Sequence, residues 1–307
     1  MSKKLVKGSI KKAVGVVRRI KTWADETNVE VDSINKTEEG LAYVWLNSLL
    51  EQMIGEGGTR NFRPNYVWGV LQGAHLAKSI GIGRISVIEF GVAGGNGLVA
   101  LDHIAQKVED LLGVGIDVYG FDTGVGLPKP TDYRDLPNIW VEGAFSMDVE
   151  RLKSRLARAE LVLGPVEKTV PPFVAASPAP VAFIAFDLDY HSSTMQAFKL
   201  LKADQALLLP RIYSYFDDIM GHTYSDFTGE RLAIREFNSD HIKRKISPIY
   251  GLKYFLPKPY DQEAWSEMFY IAHIFDHPLY SRYDGLVKPA RYREGAKLQD
   301  ETFQVNS

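Results

Sequence analysis

From residue 84 onward, short apolar runs alternate with stretches of helical spacing, and each long run finishes at a carboxylate. Ile85 to Phe90, Val118 to Phe121, Val181 to Phe186 and Arg211 to Phe216 read as strands, and Glu89, Asp122, Asp187 and Asp217 stand at their ends. Helical patterns from about Leu98 to Leu112, Asp148 to Ala159 and Ser193 to Lys202 fall between them, with a short strand at Leu161 to Leu163. Strands separated by helices of about 10–15 residues build a parallel sheet covered on both faces. In such sheets ligands lie beyond the carboxyl ends of the strands. Register alone would therefore gather the four acids on one rim.

The flanks are less regular. Residues 3–21 hold eight Lys or Arg and no acid, with Leu5, Ile10, Val14, Val17 and Ile20 at roughly helical spacing. This reads as a helix with a solvated basic face, or one that touches an anionic membrane surface. Leu41 to Ile54 and Tyr66 to Ile80 read as two more helices. Residues 1–83 are thus expected to be N-terminal helices serving as a cap or a dimer contact, 84–287 the α/β domain, and 288–307 a polar tail. Gly251 to Leu256 and Met268 to Phe275 are expected to close the sheet as an antiparallel hairpin.

Composition excludes several classes. The 307 residues carry 36 basic and 38 acidic side chains, a net charge of −2, so no overall field favours nucleic acid. There is no cysteine, which rules out disulfides, thiolate zinc sites and cysteine nucleophiles. No apolar run reaches 18 residues and no secretory pattern opens the chain, so stable membrane insertion is not expected and the default address is cytoplasmic.

The first strand runs into Glu89-Phe90-Gly91-Val92-Ala93-Gly94-Gly95-Asn96-Gly97. Four glycines in seven residues let the backbone approach a ligand closely at the start of the next helix. Gly95, Gly97 and Ala100 match the dinucleotide spacing, but they begin five residues after Phe90, too late for the usual turn. Glu89 would repel a pyrophosphate and would suit the ammonium or sulfonium end of S-adenosylmethionine. Asp122 is placed to accept ribose hydroxyls. Glu89, Gly91, Gly94, Gly95, Asn96, Asp122 and Thr123 are the candidate cofactor-binding residues.

Asp187-Leu188-Asp189-Tyr190-His191 follows the most apolar strand, and Asp217-Asp218 follows the next. Several carboxylates on one rim repel one another unless protonated or neutralised by a cation. Oxygen ligands of this kind suit Mg²⁺ or another hard divalent ion. Taken singly, Asp189 could equally cap a helix and Asp217-Asp218 lie in an exposed turn.

Glu89-Phe90-Gly91-Val92 with its glycines, Phe121-Asp122-Thr123 with Gly126-Leu127-Pro128, Asp187-x-Asp189 with Ser193-Thr194, and Phe216-Asp217-Asp218 resemble the macrocin-type O-methyltransferases. Gly164-Pro165-Val166-Glu167-Lys168-Thr169-Val170-Pro171 is similar to a further stretch of that family. The resemblance spans roughly residues 84–220. It implies the class I, Rossmann-like methyltransferase fold, with S-adenosylmethionine as donor and a metal-assisted methylation of a sugar hydroxyl. On that resemblance Asp187, Asp217 and Asp218 are the metal ligands, Asp189 is a general base, and Glu89 and Asp122 touch the cofactor. His191 is a rival base, because imidazole titrates near neutrality. The acceptor is expected to be a small molecule or glycan, and a homo-oligomer is possible.

Other readings differ in class. An NAD(P)-dependent oxidoreductase would bind nicotinamide cofactor. A phosphatase of the haloacid dehalogenase type would use the first Asp of Asp187-x-Asp189 as a nucleophile on phosphate. A methyltransferase-fold binding protein would keep the fold without catalysis.

Overall fold

The computed structural model describes residues 46–55 and 62–282. The basic stretch at 3–21, the start of the helix expected from Leu41 and the tail from 288 lie outside them. Seven strands form one sheet: β1 (Arg84–Phe90), β2 (Gly115–Asp122), β3 (Glu160–Leu163), β4 (Val181–Phe186), β5 (Leu208–Phe216), β6 (Arg244–Pro248) and β7 (Phe269–Ile274). Their order is β3-β2-β1-β4-β5-β7-β6. The first five run parallel, and β7 inserts antiparallel to both β5 and β6. This is the class I methyltransferase fold, with the antiparallel end that the resemblance implied.

The register has a visible cause. Phe90 pairs with Phe121 and with Phe186, and Phe186 pairs with Phe216, so four phenylalanines form a row at the ends of neighbouring strands. Phe186 stacks on Phe216 at 4.6 Å and on Phe90 at 5.7 Å, and Phe90 meets Phe121 at 4.8 Å. A one-residue slip of any strand would turn its ring, and every other side chain, to the opposite face. All six residues of β4 are buried, as expected of a central parallel strand covered on both sides.

The helix Pro64–Ile80 lies on the face opposite the phenylalanine row. Proline opens it and Gly81, at φ 84°, closes it in the left-handed region. Gly69 and Gly73 allow close approach to the sheet: a Cβ at 69 would stand 2.3 Å from the Phe183 ring, and one at 73 would stand 3.0 Å from Ala182. Trp68 fits edge-on between Tyr213, at 5.6 Å, and Phe269, at 4.7 Å. The helix therefore shares one core with the sheet.

Several expected boundaries differ. Gly251 to Leu256 is not a strand; a 3₁₀ turn, Leu252–Phe255, occupies it, and β6 is Arg244–Pro248. In that edge strand only Ile246 is buried, so its sequence holds no apolar run to read. Helices Val166–Ala175 and Gly229–Asp240 were not anticipated. The helix expected over Asp148 to Ala159 stops at Lys153. The one expected from Ser193 starts at His191 and gives way after Ala197 to a 3₁₀ turn.

Candidate active site

The strand ends are stitched in order by backbone bonds. Gly91 donates its N–H to Phe121 O at 2.9 Å, Asp187 to Phe90 O at 2.9 Å, and Asp217 to Phe186 O at 3.0 Å. Asp122, Asp187 and Asp217 thus each follow a phenylalanine of the row, while Glu89 precedes one. Side chains alternate along a strand, so all four acids take the face opposite the rings. That is the face covered by the helix Pro64–Ile80. Gly91 makes the junction possible: at φ 84° its Cβ would fall 1.7 Å from Asp187 O.

Glu89 is the most enclosed of the four, 1% exposed. Its Oε1 accepts the Tyr66 phenol at 2.6 Å. Its Oε2 is buried without a hydrogen-bond partner among the described residues. Burial drives the Glu89 carboxyl up to about 7, against the opposing pull of the Tyr66 hydrogen bond and the Arg63 guanidinium. Gly97, at the start of the helix Asn96–Leu112, lies against the same carboxylate; a Cβ there would stand 1.8 Å from Oε1.

Asp122 carries a task that its sequence position does not announce. Its Oδ2 accepts the N–H groups of Val92 and Ala93, each at 2.9 Å, and its Oδ1 accepts that of Gly124 at 2.7 Å. It pins the glycine turn to the end of β2. Thr123 closes the following turn, donating to Gly126 O at 2.7 Å. Asn96 accepts from the Arg155 guanidinium at 2.9 Å, Gly94 is exposed, and Gly95 is the left-handed cap of the helix Asn96–Leu112.

Asp218 links two further acids, Asp189 and Glu230. Asp218, 5% exposed, accepts the Asp189 N–H on Oδ2 at 3.0 Å and the Tyr224 hydroxyl on Oδ1 at 3.0 Å. Its own N–H goes to Glu230 Oε2 at 3.1 Å. Asp189 adopts φ 60°, a left-handed conformation unusual for a residue other than glycine and held here by that contact. Asp217 is exposed, and its Oδ1 accepts the Tyr215 hydroxyl at 2.9 Å.

Crowding shows in the proton affinities. Burial, then repulsion from Asp217, Asp218, Glu89 and Asp189, holds the Asp187 carboxyl well above the usual range. Burial and Asp218 push Asp189 to about 8, and burial and Asp217 push Asp218 to about 6. Glu230, fully buried and with no partner for Oε1 among the described residues, is raised chiefly by burial and then by Asp218. Among the described residues no three His, Asp or Glu are arranged as a cation site. The donor chemistry of Asp187, Asp217 and Asp218 nonetheless suits a hard cation, whose charge would relieve this mutual repulsion.

His191, the rival base, is 5% exposed, and its Nε2 lies 2.7 Å from Glu236, tying two helices together. Next to it, Asp135 is wholly buried and takes the Ser192 N–H at 2.8 Å, the Ser192 hydroxyl at 2.9 Å and the Thr131 N–H at 2.8 Å. This fastens the loop after β2 to the helix His191–Ala197. Tyr213 and Tyr215 are buried in the sheet, Phe227 is exposed beneath the Arg235 guanidinium at 4.4 Å, and His222 is exposed. Sequence reasoning missed Tyr66, Glu230 and Asp135. A Glu in the first turn of a helix is a detectable signal for Glu230, but that helix itself was not recognised.

No protein-family model matches the chain, and no curated protein sequence does. Solved structures resemble the chain at low similarity. CalS11, a calicheamicin methyltransferase, is 22% identical with a TM-score of 0.48, covering 80% of this chain and 95% of its own. The O-methyltransferase NovP is 14% identical with a TM-score of 0.45, over 69% and 95%. An O-methyltransferase from Bacillus cereus in complex with SAH is 15% identical with a TM-score of 0.37, over 83% and 97%. At such identities and scores nothing about this chain's chemistry follows from them; that is read from its own residues.

Proposed function

We propose that this chain is an S-adenosylmethionine-dependent O-methyltransferase acting on a hydroxyl of a sugar or glycan-like acceptor, assisted by Mg²⁺ or another hard divalent ion. The observation that carries the reading is Glu89. A buried carboxylate, with one oxygen fixed by a phenol and the other without a partner among the described residues, stands beside a glycine turn at the carboxyl end of a parallel sheet. A donor bearing a positively charged sulfonium and an ammonium matches that environment, whereas a pyrophosphate would be repelled by it.

Methyl transfer is an in-line displacement: the acceptor oxygen forms a bond to the methyl carbon as the sulfur–carbon bond breaks and the sulfonium becomes a neutral sulfide. The protein's part is to align the hydroxyl and take its proton. Asp189 is the base of choice, enclosed, held in a fixed backbone conformation, and with a proton affinity near neutrality. His191 is engaged with Glu236, which leaves Asp189 the better candidate. Asp187, Asp217 and Asp218 would hold the cation, which would supply Lewis-acid polarisation of the acceptor hydroxyl. The glycine turn, pinned by Asp122, would receive the rest of the donor.

Calorimetry with S-adenosylhomocysteine, with and without Mg²⁺, tests the donor class, and a screen of glycan and nucleotide-sugar acceptors with labelled methyl donor tests the acceptor. Binding of nicotinamide cofactor instead of S-adenosylhomocysteine would overturn the reading.

A further inference from the structure

We infer that Tyr66 is a positioning residue for the methyl donor: it fixes the Glu89 carboxylate so that Oε2, rather than Oε1, meets the donor's ammonium group. This rests on the donor reading given above and adds to it a residue from outside the strand-end motifs. Tyr66 is the third residue of the helix Pro64–Ile80 and stands 23 positions before its partner. Its ring is held on two sides, edge-on to Phe183 at 5.8 Å and to Tyr215 at 6.1 Å, and Arg63 lies over it at 5.2 Å. A ring held this way aims its hydroxyl in one direction.

The carboxylate has little choice in reply. Gly97 crowds Oε1, so that oxygen can face the phenol only because no Cβ intervenes at 97. With Oε1 committed, Oε2 is the oxygen left to pair with a cation. A buried carboxylate pairs best when its other lone pairs are already satisfied, since each unmet acceptor adds to the cost of keeping the charge. The phenol both aims the carboxylate and favours its charged form. The helix Pro64–Ile80 is thus part of the donor site, joined to it through one hydroxyl.

The experiment is a double-mutant cycle read by calorimetry with S-adenosylhomocysteine on the full chain: wild type, Tyr66→Phe, Glu89→Gln and the double variant. Phenylalanine keeps the ring and its two aromatic contacts, so the unfolding temperature should move by only a few degrees. Tyr66→Phe should weaken binding about tenfold in the wild-type background, the scale of a hydrogen bond to a charged group, and less than twofold when Glu89 is already Gln. A merely structural tyrosine would weaken both backgrounds equally, and that result would overturn the inference, as would unchanged affinity in Tyr66→Phe. If wild type itself does not bind S-adenosylhomocysteine, the donor reading fails and this inference with it, a result distinct from either of those. A Tyr66→Phe chain that did not fold would likewise overturn it, because the hydroxyl would then be serving the core and not the donor.

Discussion

The Tyr66 hydroxyl lies 2.6 Å from Glu89 Oε1, and this one bond connects a helix that precedes the sheet to the acid at its centre. The burial of that acid sets an electrostatic condition. The Glu89 carboxyl, driven up to about 7 mainly by burial, keeps its proton in the fold at pH values where the unfolded chain has released it. Folding therefore takes up a proton between about pH 4.5 and 7. The stability tied to this group is fully present below 4.5 and is lost as pH rises towards 7, a change on the order of 3 kcal/mol. Urea unfolding of the ligand-free protein at pH 5, 6, 7 and 8 should show this decline, and Glu89→Gln should flatten it by that share. Parallel curves for the two proteins would remove Glu89 from the account.

Asp189 can be tested with a substitution of the same shape. Its backbone N–H and its carboxyl both bond Asp218, an asparagine amide can still donate to that carboxylate, and asparagine tolerates φ 60° as well as aspartate does. Asp189→Asn should leave S-adenosylhomocysteine affinity within twofold of wild type and lower kcat by roughly 10²–10⁴-fold, the usual range for a removed base. A kcat within threefold of wild type would transfer the role elsewhere, with His191 the next to be replaced.

Gly91 and Gly97 are both blocked against a Cβ, but by different neighbours. At 91 the obstacle is the Asp187 backbone, 1.7 Å away, at a φ of 84°. Gly91→Ala should cost about 2–4 kcal/mol in unfolding, since neither backbone can yield cheaply. At 97 the obstacle is the tip of the Glu89 side chain, which can move aside only by giving up the Tyr66 hydrogen bond. Gly97→Ala should cost less stability than Gly91→Ala and lose donor affinity. Thermal unfolding and calorimetry on the two variants separate the cases, and equal losses of stability would contradict the distinction.

The parallel sheet was legible because buried central strands must be continuous apolar runs, and β4 is one. The acid rim was legible because Glu89, Asp122, Asp187 and Asp217 each stand next to the phenylalanine that ends a run. What pairs with those acids was not. Tyr66 reaches Glu89 from a helix whose position depends on Gly69 and Gly73 fitting against Phe183 and Ala182. Glu230 belongs to a helix with a mixed, weakly apolar sequence. Asp122 read as a ribose contact, yet its carboxylate collects three backbone N–H groups of its own fold, a use that no side-chain pattern advertises. β6 failed for the opposite reason to β4: an edge strand that buries one side chain gives no periodic signal.

Asp217 offers the sharpest test of the cation. It is exposed, and its Oδ1 accepts the Tyr215 hydroxyl. Asparagine keeps that acceptor and removes only the charge, so Asp217→Asn should unfold at a temperature close to wild type without metal. A cation that binds the folded chain stabilises it by mass action, about 2.7 kcal/mol at a hundredfold excess over its dissociation constant. Wild type should therefore melt several degrees higher in millimolar Mg²⁺ than in EDTA, and Asp217→Asn should show little of that rise. Methyl transfer by wild type should stop in EDTA and return with Mg²⁺, while the variant should stay inactive in both. Full transfer by wild type in EDTA, or by Asp217→Asn in either buffer, would exclude Asp217 as a metal ligand needed for the reaction and leave its charge as a load on its neighbours Asp187 and Asp218.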